Sequence, residues 1–351
     1  MQKKRVDILA STGPALCNVN DFIEAINLNV LNFRIHLGKK NRNHIEYMQF
    51  IKQAESITGK KVNIFIDLPS SRPRVAKINS MEFIKGEIVR IGERADDSED
   101  YKYIKVNNFS NLLKDLKPLQ RIAFRDGKIE FHIIEIDYER LEVKVECSKC
   151  NHILESFASV SFPDSNLNYD EFTINDLQIL NEMKNNNIVP DWVCISFVNN
   201  KNSIVNVREK LFSIFNIGIK VISKIETKEG INNLNEIVIE SDGTMVARGD
   251  MALNIPPEEL PVVQKLILTL SKKYNKYSVV ATQILEGFST FGVPQRAELS
   301  DIYLAINQNV CCLMLAGESG GSKRSKECMK FLRDAINVEL LTEENVLDNL
   351  C

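Results

Sequence analysis

The chain has 351 residues, 44% of them hydrophobic and 26% charged, with 44 basic against 47 acidic side chains and a formal net charge of -3. That length can bury a core large enough for one barrel of ordinary size with an insertion, or for two to three smaller domains. The slight acidity, with no sustained basic stretch beyond the short Lys39-Lys40-Asn41-Arg42, gives no electrostatic footprint for nucleic acid and favours a small charged metabolite as partner.

In chain order, Met1 to Arg5 is basic, but the apolar run after it is broken by Asp7 and Ser11. It is too short for a signal segment or a membrane span, so a cytoplasmic protein without membrane contact is expected. Strand-like apolar runs follow at Asp7 to Thr12, Asn29 to His36, Val62 to Asp67, Trp192 to Phe197, Lys220 to Ile225, Gly243 to Arg248, Ser278 to Gln283 and Val310 to Ala316. Helix-period segments lie between them, such as Asp21 to Ile26, His44 to Ile57, Asn202 to Phe215, Glu258 to Tyr274 and Leu299 to Ile306. Near-continuous apolar strands alternating with helices predict a parallel sheet buried on both faces, here an α/β fold closed as a (β/α)8 TIM barrel. The alternation breaks between the third and fourth strands, where Glu87 to Ile91, Tyr103 to Val106, Ile129 to Ile136 and Leu141 to Val145 alternate as β segments with turns such as Asp126-Gly127. This predicts a small β domain inserted in a barrel loop, placed to act as a lid. The expected boundaries are 1–73 and 162–341 for the barrel and 74–161 for the lid. The helix is expected to fray after about Glu339, leaving a tail at 342–351. Cys194, Cys311 and Cys312 lie in apolar runs and read as buried hydrophobes.

In such a barrel the chemistry sits at the strand C-termini. There the chain carries Arg34 and His36, Asp67, Ser196, Lys224 and Glu226, Arg248 and Asp250, Thr282 and Gln283, and Glu318. A lysine and two carboxylates from neighbouring strand ends, Lys224, Glu226 and Asp250, can bind a divalent cation and neutralise a transferring phosphoryl group. Lys224 with Glu226 also reads as a solvated ion pair, Asp250 as a helix cap, and Asp67 as a structural partner of Arg72 or Arg74. His36 reads as a satisfied hydrogen-bonding residue, and Gly317 to Ser322 as a phosphate cradle or a plain glycine-rich turn. Cys147-Ser148-Lys149-Cys150 with His152 invites a zinc reading, set against a bare hairpin turn of the lid, because no second C-x-x-C pair is present.

Several motifs in order resemble the pyruvate kinase family over nearly the whole chain. Ser11-Thr12-Gly13-Pro14 resembles the family's TxGP, and Ser223-Lys224-Ile225-Glu226 with Glu229-Gly230 its SKIExxEG. Ser241-Asp242-Gly243 with Met245 to Asp250 resembles SDGIMVARGD, and Ala281 to Glu286 resembles ATQMLE. Arg296-Ala297-Glu298 with Ser300-Asp301 resembles TRAExSD, and Met314 to Glu318 resembles MLSGE. The resemblance implies phosphoryl transfer from phosphoenolpyruvate to ADP, giving pyruvate and ATP with Mg2+ (or Mn2+). It assigns Lys224 to the phosphoryl group in flight, and Glu226 and Asp250 to the metal. The backbone around Ala247, Arg248, Gly249 and Asp250 receives the substrate carboxylate, Ser196 lies in the substrate site, and Thr282 sits at the enolate face that takes a proton. Arg34 grips the phosphate, Arg74 is a second arginine at the hinge, and Asp126 of the lid swings toward the nucleotide-bound metal.

The chain departs from the pattern where the family has RxNxS, carrying Arg34, His36 and Gly38, and where potassium-requiring members have threonine, carrying Leu68. Arg72 stands where those members have glutamate; with Asp67 beside the site, it is expected to substitute for the monovalent cation, so that potassium is not required. Pro69, Ser70 and Ser71 replace the usual KGP or QGP, and Asn199 replaces a basic residue. These changes leave open another enolpyruvate-like or 2-oxo acid substrate for a kinase or lyase, or a non-catalytic paralogue that binds phosphoenolpyruvate. The chain stops after the helix that follows strand eight, so the family's C-terminal regulatory domain is expected to be absent and the assembly to be a homodimer through the barrel.

Overall fold

The computed structural model describes residues 6–38, 43–93, 101–125 and 127–349, the last ten of these as backbone. Two compact units emerge: residues 71–170 with 250–257, and the remainder of the chain.

In the larger unit, eight strands among the described residues close into a parallel barrel flanked by helices. They are β1 (Asp7–Ser11), β2 (Asn32–His36), β3 (Asn63–Leu68), then, after the insertion's β4 to β10, β11 (Trp192–Ile195), β12 (Lys220–Ile225), β13 (Gly243–Ala247), β14 (Tyr277–Ala281) and β15 (Cys312–Leu315). The order around the barrel is β1-β15-β14-β13-β12-β11-β3-β2. Each strand alternates two environments. Leu9, Phe65, Cys194, Ile222, Met245, Val279, Cys312 and Met314 form one buried cluster inside the barrel, at the two-residue period of a strand. The residues between them pack outward on helices, as Phe33 does edge-on against Phe22 at 5.1 Å. Trp192 stacks on Phe65 at 5.6 Å and on Tyr277 at 5.1 Å, filling the strand N-terminal end with aromatic surface. Arg34 of β2 shares this alternation but is charged, and its partner is found at the opposite, C-terminal end.

Closure brings residues 11–13 against residues 319–320. Ser319 Oγ accepts from Ser11 N at 2.9 Å and donates to Leu315 O at 2.8 Å. A Cβ on Gly13 would lie 2.0 Å from Gly320 O, and one on Gly320 would lie 2.8 Å from Thr12 O. Only glycine fits at this seam.

The insertion has β4 (Arg74–Val75), β5 (Ile88–Gly92), β6 (Lys102–Asn107), β7 (Arg121–Phe124), β8 (Ile129–Asp137), β9 (Glu142–Cys150) and β10 (Val160–Ser161). Their order is β10-β7-β8-β9-β5-β6-β4. A bridge from Arg74 to Ser159, immediately before β10, nearly closes this sheet into a second small barrel. Phe131 packs edge-on against Phe83 (5.2 Å) and Phe124 (5.8 Å) in its core.

The structure corrects the local reading in two places. Cys147 to Cys150 is not a hairpin turn but the end of β9; the hairpin lies at Tyr138 to Leu141, where Asp137 Oδ1 accepts from Glu139 N and Arg140 N. Opposite Glu130 and Phe131 the register skips Ser148, a β-bulge. Burial pushes the Cys147 thiol up to about 11, Cys150 adding to the effect, and no group of three or more His, Cys, Asp or Glu able to hold a metal occurs among the described residues. The last helix runs Ser325–Asn349, past the fraying expected near Glu339, since no glycine or proline interrupts it. Among the described residues no helix is long and apolar enough to cross a membrane.

The seam generates a prediction. Gly13→Ala should destabilise the protein by about 3 kcal/mol through overpacking against rigid backbone, read as a lower urea midpoint with an unchanged m-value.

Candidate active site

At the C-terminal end of the barrel, β2, β3 and β12 turn charged side chains toward one another. Asp67 is fully buried and divides its oxygens between two cations: Arg34 Nε lies 2.6 Å from Oδ2 and Lys224 Nζ 3.5 Å from Oδ1. Burial alone would raise the Asp67 carboxyl, but the charges of Arg34, Lys224 and His36 and the Arg34 hydrogen bond outweigh it and hold it well below the usual carboxylate range. The sequence suggested Arg72 or Arg74 as its partner; Arg34 and Lys224 take that place because β2 and β12 aim their inward side chains at the same level. Lys224 Nζ also donates to Ser196 Oγ at 2.8 Å and lies 3.3 Å from Glu226 Oε1. Ser196 Oγ in turn donates a hydrogen bond to Leu68 O at 2.7 Å. Arg34 Nη1 donates to Ser11 Oγ at 2.9 Å. Arg34, Asp67, Ser196, Lys224 and Glu226 therefore form one cluster of two cations and two carboxylates. The solvated ion-pair reading of Lys224 and Glu226 fails, because both are buried.

Backbone geometry at the rim orients this cluster. Phe197 has φ 55°, and its N–H donates to Glu226 Oε2 at 2.7 Å. Just after β14, Thr282 and Gln283 carry φ of 78° and 55°. Such conformations cost about 1–3 kcal/mol each away from glycine and persist where the surroundings hold them. Thr282 lies beside Gly249, where an added Cβ would meet its Cγ2 at 3.3 Å. Ala247 ends β13, and Arg248 and Gly249 open the helix Arg248–Asn254. The Arg248 side chain turns to Asp301, with both carboxylate oxygens within 2.7 Å of Nη1.

Two buried carboxylates among the motif residues hold backbone. Glu298 accepts from Gly287 N (2.6 Å) and Gln295 N (2.8 Å), and Glu318 from Ala316 N (2.8 Å) and Leu285 N (3.3 Å). His36 Nδ1 accepts from Gly38 N at 3.0 Å. A groove of about 620 Å³ opens beside the Gly317 to Ser322 loop, lined by Pro14, Asn18, Gly321, Ser322 and Lys326 among others.

Within the inserted unit, Arg72 is fixed by three acceptors. Nη1 donates to Asp250 Oδ1 at 2.7 Å, Nε to Val160 O at 2.7 Å, and Nη2 to Ser161 Oγ. Arg74 Nη1 reaches Phe157 O at 3.4 Å. Asp126 lies outside the described residues. Sequence reasoning missed the Phe197 amide and the role of Asp301, whose partner is 53 positions away.

Residues 3–328 match the pyruvate kinase barrel domain. The chain is 31% identical over 348 residues to a pyruvate kinase of Methanocaldococcus jannaschii, covering 99% of this chain and 72% of the relative. It is 32% identical over 329 residues to one of Thermotoga maritima, covering 93% and 69%. Against a pyruvate kinase of Staphylococcus saprophyticus it is 29% identical over 342 residues, and there it spans only 57% of the relative's length. Matched over nearly its whole length, and folded as a parallel barrel bearing a nearly closed β insertion, this chain belongs to the pyruvate kinase barrel domain family.

Proposed function

We propose that the protein is a metal-dependent phosphotransferase that moves the phosphoryl group of phosphoenolpyruvate to ADP, yielding pyruvate and ATP. The observation that carries the reading is the buried lysine, Lys224, held by Ser196, Glu226 and Asp67 at the barrel's C-terminal end. Phosphoryl transfer needs little covalent chemistry from a protein; it needs charge fixed in place before the reaction. Lys224 is such a charge, since three oxygens restrict its ammonium and burial strips its water. Its role is to stabilise the phosphoryl group as it passes between oxygens. Arg34, anchored by Asp67 and Ser11, grips the same phosphate, and Arg74 provides a second guanidinium.

Glu226 and Asp250 are the carboxylates for Mg2+ or Mn2+. Both are hard oxygen donors, and Glu226 is oriented by the Phe197 amide. With no three-ligand cluster among the described residues, two carboxylates completed by water and substrate oxygens suit Mg2+, which is seldom held by an all-protein cage. When bound, the ion supplies positive charge to the oxygens of substrate and nucleotide. The backbone of Ala247 to Asp250 receives the substrate carboxylate, Ser196 lines the substrate site, and Thr282 addresses the enolate face that takes up a proton. Asp126 of the insertion is assigned to the nucleotide-bound metal.

Arg72 carries the proposal of potassium independence, and Asp67 is assigned to the same cation-substituting role. Its guanidinium is buried and immobilised by Val160, Ser161 and Asp250, as a stand-in for a bound cation must be.

Lys224→Met should lower turnover of phosphoenolpyruvate and ADP by about 1,000-fold or more, in line with loss of a preorganised charge, in a coupled assay of pyruvate formation. Retained turnover would sink the assignment. Potassium should leave the rate of the unmodified chain unchanged, whereas Leu68→Thr with Arg72→Glu should create a potassium requirement. A large stimulation of the unmodified chain by potassium would refute the role given to Arg72.

A further inference from the structure

Thr282 and Gln283 follow β14 with φ of 78° and 55°. Glycine adopts that conformation freely, and a β-branched residue resists it, so the surroundings must over-determine it. Arg248 supplies the restraint. Its Nε donates to Ala281 O at 3.1 Å and Thr282 O at 3.2 Å, and its Nη2 donates to Thr282 O at 2.5 Å. The guanidinium is in turn aimed by Asp301, on the helix Arg296–Asn307, whose two oxygens accept from Nη1 at 2.7 and 2.6 Å. This charge-assisted contact at Nη1, together with the bonds from Nε and Nη2 to the strand-end carbonyls, holds the guanidinium in one orientation. The Thr282 side chain is thereby held against Gly249, with Oγ1 3.6 Å from the position a Cβ would take there.

We infer that Asp301 is a positioning residue for proton delivery: acting through Arg248, it locks Thr282 in its left-handed conformation and fixes the hydroxyl beside Gly249. The inference rests on the reaction proposed above. In that reaction's last step the C=C electron pair of the enolate takes a proton at its CH2 carbon, forming the new C–H bond of a methyl group. The enolate oxygen becomes the ketone carbonyl, and the donor site regains its proton from water. Phosphoryl transfer relies on the separate cluster around Lys224, so loss of Asp301 divides the two stages.

The test uses the full chain with Asp301→Ala, the isosteric Asp301→Asn as a guard against misfolding, and Asp301→Ala combined with Gln283→Gly. One readout is exchange of pyruvate methyl hydrogens with deuterated water in the presence of ATP and Mg2+; the other is ATP formation from phosphoenolpyruvate and ADP. Asp301→Ala should slow exchange about 100-fold, the scale of one misplaced general acid, with the KM for phosphoenolpyruvate changed by less than about threefold. Asp301→Asn should act in the same direction. Gln283→Gly should restore about tenfold of the exchange, because it relieves the second of the two positive φ angles and leaves only that of Thr282 for the remaining Arg248 contacts to hold. The nuclear Overhauser contact between the Thr282 methyl and the Gly249 α-protons should be present in the unmodified chain, lost in Asp301→Ala and regained in the double variant. Exchange unaffected by Asp301→Ala, equal loss of both reactions, or absence of rescue by Gln283→Gly overturns the inference. If the unmodified chain shows neither reaction, the functional reading fails, and the Overhauser contact alone decides: its persistence in Asp301→Ala overturns the positioning role.

Discussion

Two cations and two carboxylates are buried together at the C-terminal end of the barrel, and none of the four can be withdrawn without stranding charge in a low-dielectric interior. This balance disciplines the strands that carry it. β2 and β3 must pair with His36 opposite Asp67, and β11 must set Cys194 opposite Asp67, for the inward residues to meet at one level. Below them the interior is apolar, from Leu9 and Met314 to the stacked Phe65, Trp192 and Tyr277. The barrel is thus a dry plug with a charged upper end. A charged group brought to this end would meet counter-charges already oriented and little water to screen them.

The inserted unit handles charge in another way. Arg72 is committed to Asp250 and to two oxygens at β10, so the position of one carboxylate is governed by the strand that ends the insertion. Burial pushes the Tyr169 phenol up to about 12 in this region, Asp250 reinforcing the shift and Arg72 opposing it. The tyrosine stays neutral, and the ion pair keeps its balance.

How much of this was legible depended on whether the signal was local. The apolar runs that became β1, β12, β13 and β15 announced themselves because strands buried on both faces leave no polar alternation to confuse the reading. Short strands such as β4, β7 and β10 gave no such run, being defined by partners far along the chain. Lys224, Glu226 and Asp67 could be singled out as charges at strand ends, yet the pairing of Asp67 with Arg34 and Lys224 followed only from barrel register. Glu318 looks like chemistry in the sequence, but it serves, as Glu298 does, as an acceptor for loop amides, an accounting that requires the folded backbone. The Cys147 to Cys150 spacing suggested a turn because a β-bulge leaves no mark in composition.

The seam at Gly13 and Gly320 joins residues from opposite ends of the described chain, with Ser11 and Ser319 hydrogen-bonded across 308 positions. Until β15 has been made, β1 has an unpaired edge, and on a ribosome that edge waits while the 308 positions from Ser11 to Ser319 are synthesised. Contacts so distant in sequence slow folding and leave strand edges open to other chains. Most of the insertion, by contrast, is contiguous in sequence and completes its pairings early. The burden on chaperones should therefore fall on the barrel's two ends and not on the domain that interrupts it.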